Sequence, residues 1–225
     1  MNELRENQDR WDGGPASARW EGIVFDAMMS VVERTLLPGA RSRLLAHAKG
    51  DVLEIAAGTG LNLAHYPAAC RLTLTDHKPG MLGRAVLRAR QQGRDINFES
   101  ADAERLPFPD KTFDTVVATL ALCEVSDPVA ALSEMKRVCR SDGSILLLDH
   151  VRSHHGVIGL LQDGLNALTA RFAGEHLNRD TLALARKAGL GVIETRTWRL
   201  GIMRSLLLSP TAGSAPAETQ AACPG

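Results

Sequence analysis

Short aliphatic runs alternate along this chain with segments whose apolar positions recur every three to four residues. DVLEIA (51–56), RLTLTD (71–76), INFESA (96–101), DTVVATLA (114–121) and SILLLDH (144–150) are brief and rich in branched side chains, which predicts strands covered on both faces. Between them, residues 61–66, 80–92 behind Pro79, and 129–140 carry helical spacing. The last of these has Asp127 as its cap and Pro128 at the first helical position, both helix-start signals. Trp20, Val24, Ala27, Met28, Val31 and Thr35 predict an amino-terminal helix within 16–37, stopped by Pro38-Gly39. Strand–helix alternation of this kind predicts an α/β fold with a doubly wound, mostly parallel sheet and right-handed crossovers.

The rhythm changes after residue 150. GVIGLLQDGLNALTARF (156–172) reads as an extra amphipathic helix, and RDTLALARKAG (179–189) as a helix closed by Gly189. GVIETRTWR (191–199) and MRSLLLS (203–209) read as two last strands, making seven. The chain is therefore expected to be one domain over 1–210, with a helical lid at 1–37. The small, polar tail TAGSAPAETQAACPG (211–225) is expected to be disordered.

Composition narrows the classes. With 26 basic against 26 acidic residues, the chain has no field to draw it onto nucleic acid or an anionic membrane. No apolar run reaches the roughly 20 residues that span a bilayer. Cys70, Cys123, Cys139 and Cys223 show no paired spacing and no metal-ligand pattern, and MNELRENQDRWDGG at the amino terminus lacks a signal-peptide core. A reducing cytoplasm is the expected setting, with no metal and no stable membrane insertion; the oligomeric state stays open.

The candidate chemistry starts at LEIAAGTGLNLAHY (53–66). Gly58 and Gly60 at a strand-to-helix turn let backbone approach a ligand, and the free N–H groups beyond them suit an anionic group. A dinucleotide site would want a third glycine where Leu63 stands. Alone, G-x-G equally fits a tight turn of any α/β protein. Asp76, ending the second strand, is placed to accept both hydroxyls of a ribose, and Asp102 adds a carboxylate at the same rim.

Glu54-x-x-x-Gly58-x-Gly60, Asp76, Asp102-Ala103 with LPFPDKTFD, and the strand carrying LALCEV together resemble the class I S-adenosylmethionine-dependent methyltransferases over roughly residues 20–205. The resemblance implies their Rossmann-like fold and S-adenosyl-L-methionine as cofactor. It implies that Gly58 and Gly60 admit the methionine part, with Glu54 supporting its ammonium end, and that Asp76 holds the ribose. Ala56 and His77 would also be cofactor-binding. Met81 would pack on the adenine, Asp102 and the Ala103 N–H would read its edge, and Leu120 would lie beneath the cofactor. Plain helix packing also accounts for Met81, and a surface turn for Asp102.

Methyl transfer from a sulfonium draws most of its rate from positioning. A base helps where the acceptor is a thiol, hydroxyl or acidic carbon. His150 in LLDHV is the candidate catalytic residue, followed by His154 and His155; a histidine that only shapes the pocket is the other account. Cys123 reads as a small buried hydrophobe. An Asn/Asp-Pro-Pro-aromatic element is absent after the fourth strand, where TLALCEVSDP stands, so a base-amino substrate is disfavoured. TLALCEV, DHV and HLNRDTLALARKAG resemble most the thiol S-methyltransferase and small-molecule branch, though the animal thiol enzymes carry an amino-terminal anchor. The expected partner is a small, fairly apolar methyl acceptor, a thiol ahead of N, O or C, in a pocket between the 11–29 segment and the 156–172 helix. Two other readings stay open: a cyclase or ligand-binding protein that keeps the cofactor without methylating, and a phospholipid N-methyltransferase.

Overall fold

The central strands are those the aliphatic runs predict: β1 (Asp51–Ile55), β2 (Arg71–Asp76), β3 (Asn97–Ser100), β4 (Phe113–Thr119), β5 (Cys139–His150), β6 (Gly191–Trp198) and β7 (Met203–Ser209). The computed structural model describes residue 11, residues 16–153, residue 162, residues 179–212 and residues 217–218. The expected 156–172 helix, apart from residue 162, therefore lies outside the described residues, as do His154, His155 and most of the tail. Two tail residues expected to be disordered, Ala217–Glu218, form a short strand β8 beside β6.

The sheet order is β3-β2-β1-β4-β5-β7-β6-β8. β1 to β5 pair in parallel, whereas β7 runs antiparallel between β5 and β6. The turn joining β6 to β7 explains that reversal. Arg199, Leu200 and Gly201 all take positive φ, a tight turn that leaves no length for a crossover.

The helices are α1 (Ala16–Thr35), α2 (Ala40–Leu45), α3 (Pro79–Gln91), α4 (Pro128–Val138) and α5 (Thr181–Lys187). Alternate strand residues divide between the two faces of the sheet. Val52, Val117, Leu146 and Leu148 join Leu44, Leu45, Leu82 and Val86 of α2 and α3. Leu53, Ile55, Val116, Ile145 and Leu147 join Leu132, Met135 and Ala185 of α4 and α5. Asp127 caps α4 by accepting N–H bonds from Val129 and Ala130, and Asp180 caps α5 in the same way.

Several boundaries differ from the sequence expectation, β5 among them, which begins at Cys139 and not at 144. Residues Leu61–His65 form a 3₁₀ turn, because Gly60 and Pro67 leave too few residues between them to propagate an α-helix. The helix expected to reach 140 ends at Val138, since Cys139 is extended and pairs with Phe113. The strand expected over 114–121 ends at Thr119, because Leu120 turns to φ 53.

Candidate functional site

Strand order reverses between β1 and β4, and ligands of open α/β sheets bind at the carboxyl ends of such a pair. A cavity of about 320 Å³ opens there. Ala56 and Leu120, the residues just past β1 and β4, both line it in the left-handed region, at φ 48 and φ 53. Such backbone costs on the order of 1 kcal/mol per non-glycine residue and collects at functional sites. Both turns bend the chain away and leave the strand ends open.

The two glycines of the first turn have different jobs. Gly58, at φ 57, lines the cavity, and a Cβ there would meet only Phe25 at 3.9 Å. Gly60, at φ 76, lies off the cavity, and a Cβ would come within 3.0 Å of Ala85 and Leu63. Gly58 keeps the wall low; Gly60 lets the loop sit on α3.

Asp76 is 5% exposed and lines the cavity. Its Oδ2 accepts the Gly58 N–H at 2.8 Å and its Oδ1 the Lys78 N–H at 2.8 Å. A carboxylate has about four acceptor sites, so each oxygen keeps one for a ligand. His77, Met81, Ala101, Asp102 and Ala103 continue the wall, and Asp102 steadies its own turn by accepting the Glu104 N–H at 2.9 Å. Of the ten residues the resemblance places at the cofactor, Ala56, Gly58, Asp76, His77, Met81, Asp102, Ala103 and Leu120 converge on this cavity.

Glu54 does not. It is 2% exposed and turned into the core, where it accepts hydrogen bonds from Asn62 Nδ2 and Tyr66 OH, both at 2.8 Å. Burial pushes its carboxyl up to about 7. Asn62 accepts from Arg41 Nη1 at 2.6 Å, and Thr119 Oγ1 accepts from the same nitrogen at 2.9 Å. Arg41 Nε donates to Glu33. Arg41 is 5% exposed yet lines the cavity, and its Nη2 donors are unused among the described residues. Of Glu54 and Arg41, it is thus the cation Arg41 that reaches the cavity. The sequence reading missed it because nothing local marks the one arginine of ARSRLL that faces inward.

Helix α1 supplies Phe25 and Met29 to the cavity. It is held by Asp26, which accepts from Thr59 Oγ1 at 2.6 Å, Arg84 Nε at 2.9 Å and Arg88 Nη2 at 2.8 Å. Burial alone would raise this carboxyl, but its three donors hold it below the usual carboxylate value. The helix expected as a lid therefore lies over the glycine turn.

His150 ends β5 and does not line the cavity. Burial pushes its imidazole below the ordinary value, so the neutral form is favoured, and its Nδ1 is sealed from solvent with no hydrogen-bond partner among the described residues. Asp149 beside it is 3% exposed, pushed up to about 7 by burial, and accepts the N–H groups of Leu122 and His150.

Residues 53–147 match the protein family described as methyltransferase domain. The chain is 36% identical over 130 residues to a phosphatidylethanolamine N-methyltransferase from Cereibacter sphaeroides, covering 56% of this chain and 64% of that protein. It is 30% identical over 149 residues to thiol S-methyltransferase TMT1B from Rattus norvegicus, covering 64% of this chain and 61% of that protein. The chain thus spans less than two thirds of the length of these curated relatives. A SAM-dependent methyltransferase structure from Methanosarcina mazei superposes with a TM-score of 0.61 at 18% identity, covering 75% of this chain and 96% of that one; the two share a fold.

Proposed function

Residues 53–147 place the chain in the class I S-adenosylmethionine-dependent methyltransferase family, and on that premise we propose that it transfers a methyl group to a small, fairly apolar acceptor, a thiol first. The observation that carries the reading is the order of groups around the cavity. Along the sheet order β4-β1-β2-β3, Arg41 is bonded to Thr119 at the end of β4, Asp76 with two free acceptor sites ends β2, and Ala101, Asp102 and Ala103 follow β3, with Met81 also lining the cavity. That sequence of cation, paired acceptor and apolar slot matches a carboxylate, a ribose and an adenine.

S-adenosyl-L-methionine supplies the methyl as an activated sulfonium. The chain's own part is to hold and enclose. Arg41 binds the carboxylate end, and Glu54, buried behind Asn62, fixes Arg41 and Asn62 in place. Asp76 accepts the ribose hydroxyls, while Phe25 and Met29 exclude water above the turn, which strengthens every polar contact beneath. His150 lies at the end of β5 behind the cavity wall, with Nδ1 sealed, so its part in this reading is to take or orient the acceptor proton through the other ring nitrogen, as a neutral imidazole. The similarity to a thiol S-methyltransferase supports the choice of acceptor.

A second reading has an observation of its own. Val24, Met28 and Val31 on the outer face of α1 are 61%, 54% and 60% exposed, an apolar stripe at i, i+4 and i+7 that suits a lipid surface. With the similarity to a phosphatidylethanolamine N-methyltransferase, it supports a phospholipid acceptor. No helix among the described residues is long and apolar enough to cross a membrane. Release of S-adenosylhomocysteine is the test, measured with a panel of alkyl and aryl thiols and with phosphatidylethanolamine vesicles. Turnover with thiols is expected, and vesicle-dependent turnover alone would transfer the assignment to the second reading. His150→Ala is expected to lower turnover about 100-fold and leave S-adenosylhomocysteine affinity unchanged.

A further inference from the structure

A second group of reactive side chains lies behind the cavity wall. Cys123, in the turn after β4, and Asp149 and His150, at the end of β5, each offer one ligand atom, and these atoms all lie within 4.8 Å of one another. Leu120, Ala121, Glu124 and Val125 around the turn line the cavity, but none of the three does. The three side chains thus lie behind the wall of the cavity rather than in it.

Both supports of the cluster are tied by backbone hydrogen bonds. Thr119 of β4 pairs with Leu148 of β5, and the Leu120 N–H donates to the Leu148 carbonyl at 2.7 Å. Beyond it, the carbonyls of Leu122 and Val125 accept from Arg179 Nη1, which spends that donor on the turn. The Asp149 oxygens accept the Leu122 and His150 N–H groups at 3.0 and 2.9 Å, the backbone support that orients a ligating carboxylate while leaving lone pairs over. Cys123 and Asp149 are 6% and 3% exposed, and the Nδ1 of His150 is buried with no partner among the described residues. A sealed imidazole nitrogen is costly when unpaired, and here it stands beside a thiol and a carboxyl.

We propose that Cys123, Asp149 and His150 form a three-ligand site for a divalent ion of the zinc type. One sulfur, one nitrogen and one oxygen donor suit a borderline-soft ion and exclude magnesium and calcium, which take oxygen alone. Thiolate and carboxylate together balance the ion's charge. Three protein ligands leave a fourth tetrahedral position for water. The site goes beyond the methyl-transfer reading and bears on it at one atom. An imidazole whose lone pair is on the metal has none for a proton, so a zinc-loaded chain is expected to turn over more slowly wherever His150 acts as a base.

Cobalt titration of the metal-stripped full-length chain tests the site. One equivalent of Co²⁺ is expected to bind with thiolate-to-cobalt charge-transfer absorption, and Zn²⁺ to displace it. Cys123→Ala should abolish the absorption, His150→Ala should weaken Co²⁺ binding at least about tenfold, and Cys70→Ala should leave both intact. Zn²⁺ should also slow iodoacetamide labelling of Cys123 in the wild-type chain, a readout that survives if the Cys123 variant fails to fold. Absorption that never appears or persists in Cys123→Ala, or labelling that ignores Zn²⁺, would overturn the site. S-adenosylhomocysteine binding, measured separately by calorimetry, is expected to be the same with and without Zn²⁺, so failure of the cofactor reading is told apart from failure of the metal site.

Discussion

Asp76 and Arg41 show how much one side chain's surroundings decide its use. Asp76 holds two backbone N–H groups and still faces the cavity with unused acceptor sites, while Arg41 is anchored by Glu33, Asn62 and Thr119 and keeps one nitrogen for a ligand. The two are expected to read different parts of the cofactor, the ribose and the carboxylate end, and fragments separate them. Hydrogen bonds to charged groups contribute roughly 1.5–3 kcal/mol each, so Asp76→Ala should weaken both S-adenosylhomocysteine and methylthioadenosine by at least about tenfold. Arg41→Met should weaken S-adenosylhomocysteine by about tenfold or more and leave methylthioadenosine, which lacks the carboxylate, unchanged. Calorimetry in which Arg41→Met binds both ligands like wild type would remove it from the site.

At the scale of the element, α1 contributes Phe25 and Met29 to the cavity wall. Its polar attachment to α3 and to the glycine turn, among the described residues, centres on one carboxylate, Asp26, shared by Thr59, Arg84 and Arg88. Removing it leaves two guanidinium groups facing each other without a counter-charge. Asp26→Ala is therefore expected to accelerate hydrogen exchange across Ala16–Thr35 while the sheet strands keep their protection, and to weaken S-adenosylhomocysteine binding as Phe25 and Met29 withdraw. Exchange as slow as in wild type would mean that apolar packing alone holds the helix.

At the scale of the whole molecule, a polar network is built into a core that is otherwise aliphatic. Glu54 sits at the heart of it, with its carboxyl at about 7 against 4.5 when unfolded. The folded chain thus binds a proton that the unfolded chain releases, so this contribution to stability is complete below about 4.5 and is lost as pH rises through about 7. A shift of that size corresponds to about 3 kcal/mol. Asp149, raised by the same burial, adds to the slope. Urea unfolding between about pH 5 and about pH 8 should show stability falling across the window, and Glu54→Gln should flatten the fall. A wild-type profile that is flat, or that rises, would contradict the buried protonated form.

The order of strands and helices through residue 150, the glycine turn and the rim carboxylates Asp76 and Asp102 were determined by the sequence alone, because each rests on local pattern: side-chain period, caps, and position at the end of a strand. The α1 and α5 helices and the last two strands followed from the same rules. Length defeated those rules at α2, whose six residues carry no readable period, and at Leu61–His65, where helical spacing is present but too short to propagate an α-helix. Only the tertiary structure decided that β7 enters antiparallel between β5 and β6, since a one-dimensional pattern does not say which neighbour a strand will pair with. The same holds for the buried polar groups. Glu54 faces the core and Arg41 the cavity because Asn62, Tyr66 and Thr119 arrive from separate elements to meet them. Cys123 lies far in sequence from Asp149 and His150 and so shows no ligand spacing, yet the parallel pairing of β4 with β5 sets their donor atoms side by side.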